Sequence, residues 1–93
     1  MVKFIRYNKL HEEYDIWSSD HIELAGHNCA GEILVDIYFG PRPDQKNRFI
    51  LKPKSRFEID GKKYTRPYVI AHEQEMKILL KQVREASVLD ILD

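Results

Sequence analysis

Ninety-three residues with 15 basic and 15 acidic side chains, 43% apolar content and one cysteine bound the molecule to a single domain around one core. A lone cysteine excludes a disulfide-stapled scaffold, and the absence of low-complexity runs or long apolar stretches excludes a disordered chain and a membrane-spanning helix. The balanced total conceals an asymmetry: Met1 to Pro41 carries −4, Arg42 to Arg66 carries +6, and Pro67 to Asp93 carries −2.

Three basic and four acidic side chains in the first twenty residues, with no apolar run among them, predict no signal peptide, and a lone thiol suits a reducing compartment. The expected location is cytoplasmic. Val2 to Tyr7 reads as a first strand with apolar residues on both faces (Val2, Phe4; Ile5, Tyr7), as for a strand inside the domain. Asn8 is placed to cap a short helix over Lys9 to Trp17, because Leu10, Tyr14 and Trp17 share a helical face, with a loop as the alternative. Ser18-Ser19-Asp20 reads as a turn.

His21 to Ala25 and Glu32 to Phe39 predict a hairpin around a loop bracketed by Gly26 and Gly31. Alternation in its second member puts Ile33, Val35, Ile37 and Phe39 on one face and Leu34, Asp36 and Tyr38 on the other, the pattern of a central strand with one face buried. Gly40 to Asn47, with two prolines and a glycine, must be a surface loop. Arg48 to Lys52 resumes as a strand, Pro53-Lys54-Ser55 turns, and Arg56 to Tyr64 predicts a hairpin on Asp60-Gly61 as a type I′ turn. That turn pairs Ile59 with Lys62, Glu58 with Lys63 and Phe57 with Tyr64.

Pro67 is expected to end that pairing or mark an edge, with Tyr68, Val69 and Ile70 β-prone and leading straight into a C-terminal helix. Glu73 and Glu75 in the first turn suit the macrodipole, and Met76, Leu79, Leu80, Val83 and Ala86 form the inward stripe. Asp90 would fall inside that stripe on a straight helix, so a bend or stop is expected near Ser87, where Ser87 and Asp90 have the spacing of a weak capping box. The fold class is therefore α+β: a mostly antiparallel twisted sheet or partly open small barrel of five or six short strands with a C-terminal helix.

Function is read from charge pattern alone. Arg42, Lys46, Arg48, Lys52, Lys54, Arg56, Lys62, Lys63 and Arg66 alternate with Phe49, Phe57, Tyr64 and Tyr68. On a β-ribbon such alternation lets cations meet phosphates while aromatics pack or stack on bases. The competing account is a solvated outer face with edge-protecting lysines. The favoured expectation is a small non-enzymatic binding module, regulatory or inhibitory, contacting nucleic acid or an acidic protein surface, with no cofactor. The alternative is a protein interaction or homodimer module acting through Ile78, Val88, Leu89 and Leu92 on the C-terminal helix.

Other chemistry is thinner. Pro43-Asp44 followed by Asp60-Gly61-Lys62 spells a metal-dependent nuclease signature, a remote alternative because its second half is ordinary turn chemistry. His21, His27 and Cys29 lack a fourth zinc ligand at recognisable spacing, and a Cys29-His27 nucleophile lacks a third member. His72-Glu73-Gln74-Glu75-Met76 fails as a zinc-protease helix, since Met76 stands where a histidine is required.

Overall fold

The computed structural model describes the backbone of residues 1–92 and the side chains of residues 1–86. In chain order it comprises β1 (Val2–Asn8), β2 (Glu13–Ser19), β3 (Ile22–His27), β4 (Ile33–Tyr38), β5 (Lys46–Ile50), β6 (Arg56–Ile59), β7 (Lys62–Thr65), α1 (Arg66–Ala71) and α2 (Glu73–Leu92). The strands form two sheets, of order β2-β1-β6-β7 and β3-β4-β5, and every pairing is antiparallel. The domain is α+β, with seven strands rather than five or six. Its sheets remain separate and do not close into a barrel.

Period-two alternation turns one face of each sheet inward. Val2, Phe4, Phe57, Ile59 and Tyr64 line it on the four-stranded sheet, and Ile22, Leu24, Ile33, Val35 and Ile37 on the other, all buried. Phe4 joins the two layers. Its ring lies 5.3 Å from Phe57, 5.9 Å from Trp17 and 6.0 Å from Phe49, which comes from the opposite sheet. Trp17 and Phe49 meet at 4.5 Å. Ser19 pins the corner between the sheets, its Oγ donating to the Tyr38 carbonyl at 2.8 Å.

The Asp60-Gly61 turn forms as its residue types dictate. Its φ angles are 50° and 82°, the left-handed pair that a type I′ turn needs. The resulting register places Ile59 opposite Lys62, Glu58 opposite Lys63 and Phe57 opposite Tyr64, as the turn length predicts. The β3–β4 hairpin also forms, with a register shift between Leu24 and Gly26, where Gly26 takes φ 112°.

Four expectations are corrected, and two boundaries move: Ser18 and Ser19 belong to β2 rather than to a turn, and β5 begins at Lys46, inside the expected Gly40 to Asn47 loop, and ends at Ile50 rather than Lys52. The segment before Trp17 is strand β2, not a helix. Asn8 does cap, but it caps a turn: its Oδ1 accepts from the amides of Leu10 and His11 at 3.1 and 3.3 Å, while Leu10 stays 85% exposed. The helical spacing of Leu10, Tyr14 and Trp17 is coincidental, because Trp17 packs with Phe4 and Phe49 as a strand residue does. Phe39 lies beyond β4 and is exposed rather than continuing its buried face.

Tyr68 to Ile70 are helical. Pro67 opens α1 in its first turn, where its fixed φ and missing N–H cost nothing. Finally, α2 does not stop at Ser87 but is helical through Leu92, a stretch without glycine or proline to break it. Its packing lapses instead: Met76 and Leu80 are buried and Leu79 and Val83 partly so, whereas Ala86 is exposed. The side chains of Val88, Leu89 and Leu92 lie outside the described residues.

Phe4→Ala, which removes the ring shared by both layers, is expected to cost about 3–5 kcal/mol in urea unfolding. Ser55 offers the opposite case. It is 1% exposed and its Oγ has no hydrogen-bond partner among the described residues, so Ser55→Ala should be neutral or stabilising by up to about 1 kcal/mol.

Candidate functional site

The nine cations of the basic segment do not form one ribbon, because β5 belongs to one sheet and β6 and β7 to the other. Several are already engaged. Across β4 and β5, Arg48 sits directly opposite Asp36 and donates to it from Nε and an Nη at 2.8 and 3.0 Å. Lys46 Nζ adds a second cation at 3.3 Å. Asp36 is only 2% exposed, and the Arg48 hydrogen bonds hold its carboxyl below the usual aspartate range against the opposing effect of burial. Arg42 closes on Asp44 within its own loop at 2.9 Å. Arg66 donates from Nε to the Leu51 carbonyl at 3.1 Å, and Lys62 lies over the Tyr64 ring. Lys63 is exposed on β7, opposite Glu58.

Lys52 and Lys54 behave differently. They stand on the β5–β6 connection, where Lys54 takes φ 67°, and they face the β1–β2 turn across a cleft of about 800 Å³. Arg6 and Lys9 supply the other wall, with Tyr7 and Leu10, and Glu12 is the one acidic residue in the lining. Among the described residues, no carboxylate pairs with Arg6, Lys9, Lys52 or Lys54. Arg6 is held by aromatic faces instead, its guanidinium carbon 5.3 Å from the Trp17 ring centre and 5.0 Å from that of Phe49. Lys54 Nζ lies 4.5 Å from the Tyr7 ring centre. A cation on an aromatic face keeps N–H groups available to an anion, which a cation bound to a carboxylate does not.

The cleft continues onto the outer face of the four-stranded sheet through Tyr7. Tyr7 and Tyr14 sit opposite each other in the β1–β2 register, with ring centres 5.2 Å apart at 60°. Arg56 lies over Tyr14 at 5.2 Å and contacts Glu58 at 3.4 Å. Tyr14 is 48% and Ile16 60% exposed on this face.

Sequence reading placed Lys52, Lys54 and Arg56 in the basic segment but missed Arg6 and Lys9. The helical reading of the β1–β2 turn hid the second wall, and no local motif announces it. The remaining candidates do not converge. His21 stacks on Tyr38 at 3.9 Å and bonds Glu23 at 2.7 Å, His27 faces Glu73 at 3.4 Å, and Cys29 is exposed. Asp44 lies in the loop before β5, whereas Asp60 lies in the β6–β7 turn. Among the described residues, no group of three or more His, Cys, Asp or Glu is placed to hold a metal ion, and no helix is long and apolar enough to cross a membrane. Of the helix-surface set, Ile78 is 59% exposed. Comparison with protein-family models, with curated proteins and with solved structures finds no match.

The Asp36 cluster makes a signed prediction. A carboxyl held low in the folded state contributes stability above its unfolded pKa and loses it as pH falls through the folded value. The stability gap between wild type and Asp36→Asn should therefore be widest near neutrality and close as pH drops below about 4, followed by urea midpoints at each pH.

Proposed function

We propose that this chain is a non-enzymatic binding module for a polyanion, seated in the cleft between the β1–β2 turn and the β5–β6 connection. The observation that supports the reading is the convergence of Arg6, Lys9, Lys52 and Lys54, from chain segments far apart in sequence, on one concave surface whose lining includes one acidic residue, Glu12. Like charges repel, so four cations held together without carboxylate partners lower the stability of the free domain, and an anionic ligand relieves that repulsion. A basic face serving only solubility has no need of concavity.

Nucleic acid and acidic protein surfaces both present the required charge. A module that only occupies such a ligand acts by covering it, which gives it a regulatory or inhibitory role, and an exposed free thiol suits the reducing cytoplasm. The alternative reading is a protein contact through Ile78, Val88, Leu89 and Leu92 on α2, of which Ile78 is 59% exposed.

Counterion release provides the test. With about four phosphates neutralised, the logarithm of the binding constant should fall against the logarithm of salt concentration with a slope of about −3. Lys52→Gln combined with Lys54→Gln should weaken binding and reduce that slope by about 1.4, while Arg42→Gln should change neither. Equal affinity and slope in the double variant and wild type would remove the cleft from consideration.

A further inference from the structure

We infer that the polyanion is a single-stranded nucleic acid whose bases lie on the outer face of the four-stranded sheet over Tyr14 and Ile16, while its phosphates occupy the cleft. The inference rests on the binding reading above and names the ligand of that site. Three independent features of the face support it.

The first is exposed apolar surface. Ile5 on the same face is 2% exposed, yet its cross-strand neighbour Ile16 is 60% exposed and Tyr14 48%. This side of the sheet therefore presents uncovered ring and methyl surface beside the buried Ile5. The second is continuity. Tyr7 lines the cleft and its ring meets Tyr14 at 5.2 Å, so a chain leaving the cleft passes directly onto the exposed pair.

The third is the pairing of cation with ring. Lys54 stands over Tyr7 and Arg56 over Tyr14, so each of the two neighbouring rings carries a cation of its own. A single strand repeats the complementary pair, phosphate and base, and every base offers a π-face regardless of sequence. A duplex keeps those faces inside its own stack. An acidic peptide supplies the charge but no flat group in each repeat, so it would satisfy the cleft and leave Tyr14 and Ile16 uncovered.

The experiment measures binding of the full chain, at one fixed salt concentration, to three labelled probes: an oligothymidylate of about twelve nucleotides, a duplex of equal length, and polyglutamate. The single strand should bind about tenfold tighter than either other probe. Tyr14→Ala should remove about that tenfold from single-strand binding while leaving duplex and polyglutamate binding unchanged, and Tyr14→Phe should retain the preference. If circular dichroism shows Tyr14→Ala misfolded, Ile16→Ala is expected to cause the same selective loss. A single strand bound no tighter than the duplex, or a preference untouched by these variants, overturns the inference while leaving the polyanion reading standing. Polyglutamate bound tightest overturns it in favour of an acidic protein partner. Failure of all three probes to bind overturns the polyanion reading as well.

Discussion

The contact on which the rest of the structure depends is the aromatic junction at Phe4, where Trp17, Phe49 and Phe57 meet one ring. A four-stranded and a three-stranded sheet each have one apolar face to hide, and neither can do so alone. Large rings are efficient at such a junction because each buries much area with little rotamer entropy. Once Phe4 and Phe49 face each other, β5 is fixed over β1 and β2, and the β5–β6 connection must pass the β1–β2 turn. The cleft is a geometric by-product of that crossing. No segment of the chain encodes it alone.

The same crossing divides the basic residues by role. Linear clustering puts nine cations within Arg42 to Arg66, but β5 delivers Lys46 and Arg48 to the buried Asp36 carboxylate. There they neutralise a charge that burial alone would make costly. Arg42 is consumed locally by Asp44. Lys52 and Lys54, which lie on a connection rather than a strand, pair with no carboxylate among the described residues. A charge count along the chain therefore overstates the unpaired basic surface at one end of the segment and misses the wall contributed by Arg6 and Lys9.

What was legible in the sequence was what local chemistry decides. Asp60-Gly61 admits few other turns, and its length fixes which residues oppose each other, so that hairpin could be read to the residue. The Ile33-Val35-Ile37 alternation identified a central strand for the same reason. The failures lie where distant contacts outvote local pattern. Trp17 fits a helical face in sequence and a strand in the fold, because its partners are Phe4 and Phe49. Pro67 reads as the end or edge of a strand pair, yet the same fixed φ and missing N–H suit the first turn of α1, where it stands. Asp36 reads as an outward polar residue until β5 lays Lys46 and Arg48 across it.

Arg6 carries a consequence for the molecule's energetics. Its guanidinium rests on Trp17 and Phe49, the two rings that tie the sheets together, while its side chain also lines the cleft. Under the proposed reading, a ligand that contacts Arg6 in the folded chain alone stabilises the fold by mass action, so occupancy and fold stability are thermodynamically linked. The domain's melting temperature is then a gauge of that proposed binding, and Trp17, whose ring centre lies 5.3 Å from the Arg6 guanidinium carbon, is a built-in fluorophore beside it.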